Sequence, residues 1–211
     1  MKVNISKILI FVLVFIGCFS DDESSDEDMT NSAVDNDLSI SKGLGKTSEI
    51  YVSNWNQLVA AISEDEQTTT FFSINPDEVK WTSLEKNTLY YEFGNLENPQ
   101  NVFVINLNIN KENDTVSEVE FFAPTSNDEI NSQQSKLFFL IVIALSDDTL
   151  DKNDRENILN NLGLYEELSN PKQLAGSVTR NNVRYILEPL VDNNLLFGLN
   201  LYSSLVESKN N

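Results

Sequence analysis

The sequence predicts an α+β protein, an antiparallel sheet with helices packed on one face. Three observations carry this. Strand-like segments come in runs divided by turn signals, helical patterns come in blocks between those runs, and 211 residues can bury one sizeable core. The order is one helix, about four strands, two helices, then two or three strands. That order also invites a reading as two similar halves, although no residue-level repeat accompanies it.

The first helix rests on Trp55, Leu58, Val59 and Ile62, which fall at i, i+3, i+4 and i+7, with Ser53 or Asn54 as its cap. Strand-like runs follow at Thr70 to Ile74, Thr88 to Phe93, Val102 to Asn110 and Val116 to Phe122, broken at Asn75-Pro76-Asp77, Gly94-Asn95 and Asn98-Pro99. From Asn106 to Asn110 apolar residues alternate with Asn, the pattern of a half-buried strand, and Lys111 to Asp114 turn the chain into a hairpin with Val116, Val119 and Phe121. Leu137 to Leu145 is unbroken apolar sequence. Ile130 to Lys136 holds no Gly or Pro, so the two together predict a buried helix of about 15 residues. A further helix is expected over Asp151 to Leu162, capped by Asp151 and closed by Gly163 with Leu164 packing back. Val183 to Leu190 and Leu195 to Tyr202 read as two last strands turned by Asp192-Asn193-Asn194, with Pro189 placing the first at an edge or at its end.

Composition excludes several functions. Fourteen basic residues stand against 33 acidic ones, a formal charge of −19, which argues against nucleic acid as a partner. The chain has no His, which removes Ser-His-Asp and Cys-His catalysis and the commonest transition-metal ligand. One Cys permits no internal disulfide and no thiolate cluster.

That Cys stands at the end of a leader. Lys2 and Lys7 make a basic start, and Ile8 to Ile16 are nine apolar residues. As a helix they reach about 14 Å, roughly half a bilayer's hydrocarbon core, so the stretch reads as a secretory signal and not as a span. Phe15-Ile16-Gly17-Cys18 resembles the lipobox of bacterial lipoproteins, with Phe15 where that pattern prefers Leu. The resemblance covers eighteen residues. It implies cleavage between Gly17 and Cys18, diacylglycerol on the Cys18 sulfur, and anchoring to the lipid bilayer at the extracytoplasmic face of the cell membrane. Two or three acyl chains would hold the chain firmly. Cleavage leaves 12 basic and 33 acidic residues, a formal −21, so anionic lipid would repel the protein and the anchor must be the lipid itself.

Three parts are expected: residues 1–17 as leader, 18–46 as an acidic disordered tether, and 47–207 as a single α+β domain. Phe19 to Ser41 carries eight acids and no base, too little apolar surface to offset chain entropy. It lacks the spaced oxygens and turn glycine of a Ca²⁺ loop.

In the domain no cofactor or metal motif stands out. Asp151 to Arg155 starts like a Ca²⁺ loop, but Arg155 takes a ligand place and Leu162 stands where the bidentate Glu belongs. Gly43-Leu44-Gly45-Lys46 is too short to cradle phosphates and precedes no expected helix. Asn113-Asp114-Thr115 fits a glycosylation sequon but reads as turn chemistry. Glu92, Glu118 and Glu120 on expected strands could supply a carboxylate pair for glycan hydrolysis. Trp55, Trp81, Tyr90 and Tyr91 could form an aromatic platform, Trp55 being better explained by the core and Trp81 being the better candidate for exposure. The leading expectation is a non-enzymatic lipoprotein that binds a protein or envelope ligand. A carboxylate-dependent hydrolase of envelope glycans and a structural envelope component are the alternatives. Small acidic lipoproteins of this general look include prophage-encoded ones that block infection by related phage, a resemblance at the level of analogy.

Overall fold

The computed structural model describes residues 44–62, 72–78, 81–83, 87–97, 101–125, 129–164, 176–192 and 195–206; at 81–83, 129–133 and 195 it describes the backbone. The leader, the positions Gly17 and Cys18, the tether up to residue 43 and the turn residues 193–194 lie outside the described residues.

Helix α1 spans Ser48–Ile62. It starts earlier than Ser53 or Asn54, because Thr47 serves the first turn: its hydroxyl accepts from Ile50 N at 3.5 Å and its carbonyl from Tyr51 N at 3.0 Å. The longer helix adds Tyr51 and Val52 to the buried stripe of Trp55, Leu58, Val59 and Ile62. The expected strand at Thr70 to Ile74 does not form among its described residues. Phe72 is helical and residues 73–75 are irregular. The physical reason is Asn56, whose side-chain amide takes both main-chain groups of Ile74: Nδ2 donates to Ile74 O at 2.8 Å, and Ile74 N donates to Oδ1 at 2.7 Å. An amide side chain thus does the pairing that a neighbouring strand would have done.

Among the described residues the sheet has seven strands: β1 (Trp81–Ser83), β2 (Thr88–Gly94), β3 (Val102–Asn110), β4 (Thr115–Pro124), β5 (Gly176–Arg180), β6 (Val183–Asp192) and β7 (Leu195–Leu205). Every pairing is antiparallel, in the order β1-β2-β3-β4-β7-β6-β5. Two meanders therefore meet where β4 pairs with β7. Each follows its own helical block, α1 before the first and α2 (Glu129–Ser146) with α3 (Lys152–Asn161) before the second. The helix-then-meander order occurs twice, with unequal numbers of helices and strands.

β3 matches its expected limits. β1 and β5 were not anticipated. β5 is joined to β6 by Asn181 and Asn182, both at positive φ (46° and 65°), the two-residue turn that fits the twist of a hairpin. Pro189 pairs with Leu199 of β7, while β5 reaches only to Gly176 opposite Leu187. Among the described residues, β6 is thus an edge where the proline lies.

The three helices named above pack on one face of this sheet. The side chains pointing at them along one cross-strand row, Tyr91, Ile105, Phe121, Leu201 and Leu187, are all buried. Trp55 sits at the junction, stacked on Phe138 of α2 (centroids 5.7 Å apart) and edge-on to Phe93 of β2 (5.3 Å), with Phe121 at 5.7 Å. Its indole N–H donates to Phe72 O at 3.0 Å, so the polar handle is satisfied inside the core. α2 extends the expected buried helix to 18 residues, with Leu137 to Leu145 buried throughout. α3 follows expectation closely. Asp151 caps it through Asp154 N (2.8 Å), and Gly163 at φ 82° lets Leu164 N reach Leu159 O (3.1 Å) while its side chain is buried. Among the described residues before the expected boundary at 47, Leu44 is buried and its N–H donates to Ser146 O at 2.8 Å.

Two variants test this arrangement by urea denaturation. Trp55→Ala should cost about 3–5 kcal/mol through the cavity it leaves among the rings of Phe93, Phe121 and Phe138. Asn56→Ala should cost about 1–3 kcal/mol, because buried Ile74 loses both its hydrogen bonds; a change near zero would remove Asn56 as the organiser of residues 72–75.

Candidate functional site

Strand alternation sends the other half of each strand to the face that no described helix covers. Glu92, Glu118 and Glu120 all lie there. One row across β2, β3, β4, β7 and β6 runs Tyr90, Asn106, Glu120, Tyr202, Ile186; the next runs Glu92, Val104, Phe122, Asn200, Glu188. Asn106 and Asn108 are the Asn positions of the alternating segment in β3. The β-register sets each opposite a glutamate of β4, Glu120 and Glu118 respectively.

These side chains form a ladder. Asn106 Nδ2 donates to Glu120 Oε2 at 3.0 Å, Asn108 Nδ2 to Glu118 Oε1 at 2.8 Å, and Asn200 Nδ2 to Glu120 Oε1 at 3.1 Å and to the Tyr202 hydroxyl at 3.1 Å. Thr88 Oγ1 donates to Asn108 Oδ1, and the Tyr90 hydroxyl to Glu92 Oε1, each at 2.5 Å. Amide donors therefore hold both oxygens of Glu120 and one of Glu118. Val104 and Phe122 supply an apolar centre. The Phe122 ring lies directly over Gly198 of β7: a Cβ on that glycine would stand 2.2 Å from Phe122 Cε2. Gly198 is what lets the ring lie flat on the sheet.

Glu118 and Glu120 are two residues apart on one strand, about 7 Å. That separation suits an inverting carboxylate pair, but such a pair works from opposite sides of a bound sugar. Here the two stand side by side on one sheet face, engaged by neighbouring amides. The arrangement is a hydrogen-bonding surface. Of the aromatic residues, Trp55 and Tyr91 are buried on the helix side and Tyr90 is half-buried on the ladder. Trp81 pairs with Tyr90 through its backbone; its side chain lies outside the described residues.

The remaining motifs have structural partners. Gly43-Leu44-Gly45-Lys46 does precede a helix, contrary to expectation, since Thr47 rather than Ser53 begins α1. The amides of Leu44 and Gly45 nevertheless bond Ser146 O and Val116 O, and Lys46 pairs with Asp148 at 3.3 Å. Asn113 Oδ1 accepts from Thr115 N and Oγ1 at 3.3 and 2.7 Å, as turn chemistry requires. Among the described residues, no group of three or more acids or cysteines is placed to hold a metal ion, and no helix is long and apolar enough to cross a membrane.

A second polar cluster lies inside, beneath the helices. Arg155, Asp147, Tyr51 and Tyr185 are all buried. Arg155 Nη2 donates to Leu150 O, while its Nε and Nη1 and the hydroxyl of Tyr185 have no hydrogen-bond partner among the described residues. Asp147 accepts from Thr149 Oγ1 at 2.6 Å and from Asn181 Nδ2 at 3.0 Å, which ties the β5–β6 turn to the end of α2. Burial lowers the Arg155 pKa, opposed by the carboxylates of Asp151 and Asp147. Sequence reading missed this cluster, although Arg155, Ile158, Leu159 and Leu162 fall at i, i+3, i+4 and i+7 and so place an arginine in an apolar stripe.

Alkaline titration tests both faces. Burial raises the pKa of Tyr51, Tyr91, Tyr185 and Tyr202, and that of Tyr90 to about 12, where Glu92 adds to the effect. A folded pKa above the unfolded value of 10.0 means that the unfolded chain loses its protons first. Stability should thus be full below pH 10 and fall as the pH rises towards 12, with tyrosinate absorbance appearing together with unfolding. Tyr185→Phe, which deletes a hydroxyl without a partner, should leave stability unchanged or raise it by about 1 kcal/mol. A loss of about 2 kcal/mol or more in the same denaturation measurement would reveal a partner.

Comparison with protein-family models, with curated proteins and with solved structures finds no match to this chain.

Proposed function

We propose that this chain is a lipid-anchored extracytoplasmic binding protein, held in the bilayer through acylated Cys18 and meeting a protein or envelope ligand with the face of its sheet that no described helix covers. The observation that carries the binding role is the ladder. Seven polar side chains from β2, β3, β4 and β7 are fixed by one another around Val104 and Phe122, on a face without a described helix. Fixed side chains lose little entropy on contact, which favours recognition. The lipobox-like Phe15-Ile16-Gly17-Cys18 supports the address.

A catalytic reading finds less support, because the carboxylates share one surface and are spoken for by amides. It predicts turnover on a glycan and peptidoglycan panel that Glu118→Gln or Glu120→Gln abolishes; reproducible turnover of that kind would replace the binding role. For the address, the wild type should incorporate radiolabelled palmitate and fractionate with membranes, whereas Cys18→Ala should take up no label. A mature protein that still carries residues 1–17, or an unlabelled wild type, would refute the anchor.

A further inference from the structure

The ladder leaves one buried acceptor without a bond. Asn200 is 8% exposed, and its amide is oriented by two bonds from Nδ2, to Glu120 Oε1 and to the Tyr202 hydroxyl. Its Oδ1 has no hydrogen-bond partner among the described residues. A buried carbonyl oxygen without a donor is costly, so the chemistry of this spot calls for an N–H or O–H from outside. Three neighbours say which kind. Asn200 pairs in register with Phe122 on one side and Glu188 on the other, and Glu120 is bonded to it from the next row. Phe122 lies over Gly198 and is partly buried, and Glu188 is an exposed carboxylate.

We infer that Asn200, Phe122, Glu120 and Glu188 form a receiving site for an arginine side chain of a protein partner. A guanidinium is planar and carries five donors, so it can stack on a ring, donate to an amide oxygen and face a carboxylate at once; an ammonium cannot match that geometry. The surroundings agree in charge. Glu92, Glu118, Glu120 and Glu188 belong to this face, and among the described residues its cation is Arg184, whose Nε is turned to Ser177 Oγ of β5 at 3.2 Å. The partner segment would carry arginine beside an apolar residue that covers Val104.

This rests on the reading of the sheet face as the binding surface, and the test separates the two. The mature full-length protein is titrated with hexa-arginine and hexa-lysine peptides at equal ionic strength. Hexa-arginine should bind about tenfold more tightly, and Glu188→Gln and Phe122→Leu should each weaken it about five- to tenfold. Glu78→Gln, an equal charge change in the exposed turn after Ile74, should alter it less than about twofold. Glu188 is exposed, so its variant keeps the fold even if Phe122→Leu does not. Equal binding of the two peptides, or equal loss from Glu78→Gln and Glu188→Gln, would mean attraction by net charge alone and overturn the proposal. If neither peptide binds but a neutral glycan does, and Asn106→Ala removes it, the arginine site falls while the sheet face stands as the binding surface. If no substitution on the face affects any ligand, both fall.

Discussion

Trp55 is the side chain on which the architecture turns. It belongs to α1, stacks on α2, and meets β2 and β4 through Phe93 and Phe121, so the first helical block, the second and the sheet converge on one indole. Phe138 and Phe103 extend that contact at 4.8 Å, edge to face. Aromatic groups give large buried area with few rotatable bonds, which is how so acidic a chain holds together. Its acids remain outside the core with one described exception. Asp147 is buried, and it is satisfied by Thr149 and Asn181.

Elements with a periodic signal were legible. The alternation of Val102 to Asn110 gave strand, face and register partner, and Asp151 with Gly163 gave both ends of α3. The failures have separate causes. Thr70 to Ile74 has strand composition, yet Asn56, 18 positions away, occupies the main chain of Ile74. β5 is short and mostly polar, and only its Asn181-Asn182 turn announced it. α1 began early because Thr47 competes successfully with Ser53, which lies within the helix and accepts from Gln57 at 3.5 Å.

The candidate site was half legible. Glu118 and Glu120 on one face follow from their spacing alone, and the Asn residues of β3 follow from the same alternation. What could not be read was the pairing of β4 with β7, two strands separated by two helices and a hairpin. That pairing brings Asn200 to Glu120 and Gly198 beneath Phe122. Arg155 is the opposite case, local in sequence and visible as a break in a stripe, but lacking meaning until Asp147 and Tyr185 surround it.

The two faces of the sheet use one alternation for opposite ends. Towards the helices the side chains are apolar and packed, and the sheet's rigidity is a by-product of burial. Away from them rigidity must come from hydrogen bonds, since a half-wet surface offers little packing. The amide–carboxylate ladder supplies that, joining β2, β3 and β4 through Thr88, Asn108 and Glu118, and β3, β4 and β7 through Asn106, Glu120 and Asn200. A face needed only for solubility could be met by mobile lysines and glutamates that bond to water. Asparagines spaced to pin each glutamate cost side-chain freedom and yield a fixed pattern of acceptors, and such a pattern has physical use where another molecule must match it.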